Sequence, residues 1–410
     1  MIRLKNGIFL FFLQIKVFLP LYCLDIFQKY RHFAYLCIMN VHIFNPEHDM
    51  ALAANSAFWT APHAGRQLRS DLGWLPVLWA EDGDVVVVDD VRAAVAATRK
   101  LKVRHADVEF LSMGDKRRIA GIMSGVERPD VRPWGWDISV ASQLRRAGFG
   151  QCPMPDAAAL EKLRALSGRS TAARLLKHLR DNDSRLVGES VVVESMAQLY
   201  GCMKEWGRTV VKSPWSCSGR GVRYLSGNED NILRWAKKTL RQCGHVTAEP
   251  FYAKVLDFGM EFSIENGGEV RYDGLSLFST VAGAYTGNVL ATEAEKMEIL
   301  NRYIDTDTLA ATREAICQWM GTVAGDCHKG PFGVDMMVVC DGEKYDKGKA
   351  PASDSTLRLH PCVEINLRRT MGHVALAISP DKPLRQQNMR ILYEANAYHL
   401  RIEDDFEMLY

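Results

Sequence analysis

A mixed α+β and α/β protein built from more than one packed unit is what the sequence predicts, on three observations. Short apolar strands alternate with helix-like stretches in the first third of the chain. Longer strands with one polar and one apolar face crowd the last third. The chain also has 410 residues, more than one hydrophobic core organises. Apolar residues make up 47% and charged residues 24%, the balance of an ordinary soluble protein. Lys+Arg 51 against Asp+Glu 49 leaves no strong field, so nucleic acid is not an expected partner. Ten cysteines are scattered without a C-x-x-C pair. That fits the reduced thiols of a cytoplasm better than a zinc site or a disulfide framework.

Residues 1–38 stand apart. Gly7 to Leu24 is mostly apolar and follows Arg3 and Lys5, like a signal peptide or anchor. Gln14, Lys16 and Pro20 interrupt the run, and no small-residue cleavage site follows. Three accounts compete: a start assigned upstream of the real one at Met39, a membrane anchor, and a structured extension. The first is the expectation, and a membrane is not an expected partner. The segment holds five Lys/Arg and one Asp, +4, so the rest of the chain carries +2 − 4 = −2.

From Met39 to Pro155 the pattern predicts a small α/β domain. Val41 to Phe44 reads as a strand, and the Val run of Asp84 to Val88 as a buried parallel one. Val91 to Val103 and Ile138 to Ala147 read as helices, the second ending at Gly148, and Cys152 to Pro155 as a linker. Between residues 156 and 248, helices precede the strand Arg208 to Lys212. A Gly/Ser turn, the strand Val222 to Leu225 and an amphipathic helix over Asn231 to Gln242 follow. Residues 249–380 read as strands at Phe262 to Ile264 and Val270 to Phe278, then a helix near Thr308 to Val323. Two strong strands, Phe332 to Val339 and His360 to Leu367, flank an exposed loop at Asp341 to Ser355. Residues 381–410 are expected as a helical tail.

Two constellations carry chemistry. The first is Val210-Val-Lys-Ser-Pro-Trp-Ser-Cys-Ser-Gly-Arg-Gly-Val222. Lys212 ends a strand, and Ser216, Ser218, Gly219 and Gly221 follow in a turn. Glycine lets backbone N–H groups face an anion, hydroxyls add donors, and lysine adds charge. The lysine precedes the glycines and a strand follows them, so this is no P-loop; a plain hairpin turn is the competing account. The second sets Asp335 on one strand and Glu364, Asn366 and Arg368 on the next. Strand periodicity sends the latter three to one face, and an antiparallel partner brings Asp335 to it. These are hard oxygen ligands suited to Mg²⁺, beside an arginine suited to a phosphoryl or acyl-phosphate group. A solvated polar strand face is the alternative, and the apolar neighbours speak against it.

With the strand end Ala248-Glu-Pro-Phe-Tyr252, these elements resemble the ATP-grasp superfamily across roughly Asp156 to Ser379. Glu364-x-Asn366-x-Arg368 ahead of Gly372 is the most specific piece. The resemblance implies two α+β lobes clasping ATP, here preceded by the small α/β domain. It also implies a ligase that joins a small-molecule carboxylate to an amine through an acyl phosphate. By position, Lys212 would contact the α/β-phosphates and Ser216 to Gly221 would form a flap. Glu249, Pro250, Phe251 and Tyr252 would hold adenine, and Asp257 the ribose. Asp335, Glu364 and Asn366 would bind Mg²⁺, or Mn²⁺ in its place, with Lys212 and Arg368 acting on the reacting phosphate. A homodimer is reasonable on the same ground. A kinase on this scaffold and a nucleotide sensor without turnover are the rivals.

Elsewhere the residues leave choices open. Arg169, where the family usually has a lysine, either binds phosphate or decorates a helix start. Asn45, Glu47, His48 and Asp49 follow the first strand as a substrate loop, a metal site or a polar turn capping a helix at Met50 to Asn55. The two tryptophans of Pro133-Trp-Gly-Trp-Asp137 either stack on a ligand or cement a domain interface. Thr280 to Asn288 reads as a Gly-rich loop in which Tyr285 and Asn288 either orient a second substrate or make a turn.

Overall fold

Four short parallel strands make the first layer: β1 (Asn40–Ile43), β2 (Val85–Val88), β3 (Glu109–Ser112) and β4 (Asp130–Pro133). They lie in the order β3-β2-β1-β4, with β1 and β2 fully buried, as a Val-rich strand covered on both faces requires. The computed structural model describes residues 39–404 except 126–127, 217–220, 228, 282–283, 342–355 and 384–385. The segment 1–38, Ser218 and Gly219, and most of the 341–355 loop therefore lie outside the described residues. Helices connect the strands: α1 (His48–Ala54), α2 (His63–Leu72), α3 (Val91–Thr98), α4 (Lys116–Met123) and α5 (Ile138–Leu144). Asp90, Asp115 and Asp137 accept the first-turn N–H groups of α3, α4 and α5, which explains where those helices begin. Asp84 ties β1 to β2, accepting from the Asn40 backbone N–H at 2.9 Å and the His42 Nε2 at 2.9 Å. Burial works against its ionisation, but the His42, Glu81 and Asn40 hydrogen bonds prevail and hold its pKa at about 2.

The middle of the chain supplies α6 (Ala157–Leu166), α7 (Arg169–Asn182), β5 (Val191–Val193), α8 (Met196–Trp206), β6 (Thr209–Lys212), β7 (Val222–Leu225), α9 (Asp230–Cys243) and β8 (Val246–Pro250). Its sheet is antiparallel, β5-β8-β6-β7, with α8 and α9 packed on Val211, Val246 and Ala248. The sequence division groups α6 and α7 with this sheet. Leu163 and Leu166 of α6 and Leu175, Leu176 and Leu179 of α7 instead share a core with Phe258, Phe262 and Leu359 of the next sheet. Their leucine face matches the broad apolar face of that larger sheet.

That sheet has seven antiparallel strands in the order β13-β12-β9-β10-β11-β14-β15. The strands are β9 (Ala253–Ile264), β10 (Val270–Val281), β11 (Ala284–Leu290), β12 (Gly330–Asp341), β13 (Thr356–Asn366), β14 (Gln387–Glu394) and β15 (Ala397–Glu403). Helices α10 (Glu293–Leu300), α11 (Thr306–Ala324) and α12 (Met371–Ile378) complete it. Phe262 and Phe332 stack at 5.0 Å with an interplanar angle of 11° at its centre, both fully buried.

Two expectations are corrected. Among the described residues of the expected helical tail, 381–410, there is no helix: 387–403 is the β14–β15 hairpin, closed by Ala395 (φ 48) and Asn396 (φ 63). Two central residues in the left-handed region match a tight hairpin turn, and Met389, Ile391, Leu400 and Ile402 pack beside Leu72 of α2. Thr280 and Val281 likewise end β10, and Ala284 to Asn288 belong to β11, the two paired with a register shift at Ser279/Thr280. No helix among the described residues is long and apolar enough to cross a membrane.

Phe262→Ala should cost about 3–5 kcal/mol in denaturant unfolding, since it empties a site stacked on Phe332. Asp84→Asn should cost on the order of 1–2 kcal/mol at pH 7. A carboxyl held below its unfolded value stabilises the fold above about 3.8, and that stabilisation fades as pH falls towards 2. Melting temperatures of wild type and variant should therefore converge over that interval.

Candidate nucleotide and metal site

One face of the β9–β12–β13 segment gathers the polar residues. Antiparallel register sets Asp335 opposite Glu364 and Gly333 opposite Asn366, and β9 brings Gly259 and Glu261 beside Asp335 and Gly333. Residues at i and i+2 on a strand stand ~7 Å apart on the same face. Glu364 and Asn366 thus share a face of β13, and Arg368, in the bend two residues past its end, joins them through its bond to Asn366. Asn366 Nδ2 donates to Asp335 Oδ2 at 3.1 Å, and Arg368 Nη2 donates to Asn366 Oδ1 at 3.0 Å. Arg169, at the start of α7, meets Glu364 Oε1 at 3.0 Å and the Ser216 hydroxyl at 3.4 Å. Its Nε has no partner among the described residues. It is buried and faces Glu364 rather than solvent.

Burial raises the Asp335 carboxyl well above its usual range, and the neighbouring Glu364 and Glu261 charges push it further. Arg368 and Asn366 pull the other way without prevailing. Two neighbouring carboxylates, whose repulsion Arg169 and Arg368 only partly offset, are hard donors that suit a divalent cation of the Mg²⁺ type. The Asn366 amide, which here turns its Nδ2 to Asp335 and its oxygen to Arg368, is a third candidate ligand.

Across from this row, Lys212 ends β6 and is buried against Glu249 of β8, Nζ to Oε2 2.5 Å. Ser190 donates to the other Glu249 oxygen at 3.1 Å. Gly221 closes the turn after Lys212: its carbonyl accepts the Ser213 N–H at 2.8 Å, and a Cβ there would collide with Ser213 and Ser216. Beyond Glu249 the chain leaves β8 through Pro250. Phe251 stacks under the Arg208 guanidinium at 3.7 Å. Tyr252 meets His360 edge-on at 5.3 Å, and burial lifts its hydroxyl to about 12. His360 is fully buried, and neither ring nitrogen has a partner among the described residues. Burial lowers its pKa to about 4 and keeps the ring neutral. Asp257 lies opposite Met337 of β12, ion-paired with Lys254 and accepting from Thr280 Oγ1 at 2.6 Å.

The turn after β1 and the first residues of α1 also enter the site. Asp49 accepts from Arg368 Nε at 3.1 Å and Nη2 at 2.7 Å, a contact 319 residues apart in sequence. Burial opposes the Asp49 charge, but Arg368 holds its carboxyl below the usual range. His48 Nδ1 bonds Asp137 Oδ2 at 3.1 Å, and Asn45 Nδ2 donates to the Gly135 carbonyl at 2.9 Å. Glu47 pairs with Arg69 at 3.0 Å, although burial still raises its carboxyl. Pro46 and Glu47 do turn into a helix, but α1 begins at His48 rather than Met50, and the residue before it makes no side-chain cap. Of the paired tryptophans, Trp134 lies against Phe44 at 5.0 Å and Trp79 at 6.0 Å and so cements packing. Tyr285 and Asn288 bond each other within β11, and Asn288 continues to Ser276 at 2.8 Å.

Sequence reasoning missed Asp49 as the partner of Arg368, and it missed Asp137, Glu261, His360 and His373. Glu261 had a signal, a lone carboxylate in the apolar run Phe258-Gly-Met-Glu-Phe262. It is almost wholly buried, lies 3.0 Å from His373 Nδ1, and presses against the first turn of α12. A Cβ on Gly372 would fall on Glu261 Oε1. Gly372→Ala should therefore destabilise by about 1–3 kcal/mol. Glu261→Ala in the same chain should recover part of that loss, seen as a coupling in denaturant midpoints.

No family model matches the chain, and no curated protein matches it. Solved structures do. N5-carboxyaminoimidazole synthetase from Staphylococcus aureus complexed with ADP is 12% identical, TM-score 0.45, covering 86% of this chain and 82% of that one. The biotin carboxylase domain of the Hydrogenobacter thermophilus 2-oxoglutarate carboxylase is 11% identical, TM-score 0.45, covering 86% and 74%. A putative ATP-grasp superfamily protein from Archaeoglobus fulgidus is 13% identical, TM-score 0.44, covering 90% and 100%. At these identities and TM-scores the likeness says nothing of reaction or substrate. The chain resembles the ATP-grasp superfamily through its Lys212 loop and its Asp335 and Glu364-x-Asn366-x-Arg368 row, and solved structures that include a putative ATP-grasp protein are similar to it over most of its length.

Proposed function

We propose that this chain is an ATP-dependent ligase that joins a small-molecule carboxylate to an amine through an acyl phosphate. The observation that carries the reading is the row Glu364, Asn366 and Arg368, with Asp335 opposite and the buried cations Arg169 and Lys212 beside it. Asp335, Glu364 and Asn366 would hold Mg²⁺, which when bound neutralises charge on the phosphate oxygens. Glu249 to Tyr252 would take the adenine, with Asp257 on the ribose. Lys212 and Arg169 would draw the phosphates into place, and Arg368 would meet charge growing on the transferred phosphoryl group. Ser216 and Gly221 border the flap that would keep water out.

A substrate carboxylate oxygen then attacks the γ-phosphorus as the bond to the ADP oxygen breaks. The amine nitrogen next attacks the acyl carbon, and the carbon–oxygen bond breaks with its electron pair leaving on phosphate. The proton lost by the amine passes to solvent or to phosphate. The loop bearing Asn45, Glu47 and His48, tied to Arg368 through Asp49, is the proposed substrate side, with Tyr285 and Asn288 further along the sheet.

The test is phosphate release from Mg·ATP by the full chain, screened against pools of amino acids, small peptides and carboxylates. Release that needs both an acid and an amine, and falls by about 100-fold or more in Glu364→Ala, is the expected result. ADP formed without free phosphate would point to a kinase. Tight ATP binding without turnover, unchanged in Glu364→Ala, would point to a sensor, and either result would sink the ligase.

A further inference from the structure

Arg368 is already engaged. Its Nε and Nη2 donate to the two Asp49 oxygens at 3.1 and 2.7 Å, its Nη1 to the Arg369 carbonyl at 3.0 Å, and its Nη2 also to Asn366. A carboxylate held in the guanidinium fork takes the positions an arginine uses to bind a phosphate or substrate carboxylate. Asp49 thus stands where the reacting anion would bind.

The turn into α1, whose second residue is Asp49, is built to hold it there. Asn45 bonds the Gly135 backbone in both directions, donating to its carbonyl at 2.9 Å and accepting its N–H at 3.4 Å. Gly135 lies flat on the His48 ring, where a Cβ would come within 2.7 Å, and that ring is tied to buried Asp137. Glu47 is tied to Arg69. The carboxylate is therefore positioned by the same residues proposed to receive substrate.

We infer that Asp49 is a positioning residue that competes with phosphate for the Arg368 fork and holds the fork until a substrate bound at the turn into α1 draws the carboxylate away. Loading of that turn is then linked to ATP turnover, because the fork cannot serve Asp49 and phosphate at once. This inference rests on the proposed role of Arg368. A ligand shifts such an equilibrium only through its differential affinity for the two arrangements, so the substrate must bind better where Asp49 has left the fork.

Mg·ATP alone is the probe. Phosphate and ADP release without acid or amine are compared for wild type, Asp49→Asn, Arg368→Gln and the double variant, with Mg·ADP binding measured by calorimetry. Asparagine keeps the shape and removes the charge; Asp49→Ser replaces it if thermal melts show that the Asn variant does not fold. Freed of its competitor, Arg368 should raise unprompted hydrolysis on the order of tenfold, and Arg368→Gln in the same chain should abolish the rise. Hydrolysis unchanged or lowered in Asp49→Asn, with Mg·ADP still bound, overturns the inference alone. Loss of Mg·ADP binding in wild type would overturn the reading of the site and the inference with it.

Discussion

The register between β12 and β13 is the constraint on which the rest depends. Pairing Asp335 with Glu364 forces two carboxylates together on a partly buried face, and β9 adds Glu261 a step away. Like charges in low-dielectric surroundings repel strongly. Relief comes from the Arg169 guanidinium of α7, from Arg368 just past the end of β13, and from the Asn366 amide of β13 itself. Charge-assisted bonds of this kind are short and directional, so they also fix where the helices and loops that supply them must lie. Close approach matters as well. A Cβ on Gly333 would sit 2.5 Å from Glu261 Oε2, so the acidic cluster needs a residue without a side chain there.

The N-terminal unit is not a bead tied on by a linker. Trp134, Phe44 and Leu72 share one core with Leu290, Val374, Ala375 and Met389 of the C-terminal sheet. The final hairpin adds a polar tie, with the Tyr398 N–H donating to Asp71 at 2.8 Å. A shared apolar core makes the relative placement of the units part of the fold, where a polar seam would leave it adjustable. The Asp49–Arg368 contact lies on that continuous framework, which is why one loop can address a guanidinium from a distant part of the chain.

Legibility varied with the range of the interaction that made each element. The Val run of β2, the two-faced row of β13 and the amphipathic α9 were readable because their periodicity is set by nearest neighbours. The C-terminal hairpin was misread as helix, although Ala395 and Asn396 sit where a tight turn needs left-handed backbone. Ala395 carries no turn signature of its own. The leucine face of α7 was visible as helical, but not which sheet it would cover, since several apolar surfaces offered equal chemistry.

The chemistry of the candidate site is written into adjacent residues. Lys212 ahead of its glycines, and Glu364, Asn366 and Arg368 at alternate positions, declare themselves because a strand puts i and i+2 on one face in any fold. Pairing across the chain is a different matter. That Arg368 would meet Asp49, that Arg169 would face Glu364, and that Lys212 would be buried against Glu249 were decided only when the units packed. An ion pair depends on distance in space and on burial, and neither is encoded by spacing along the chain.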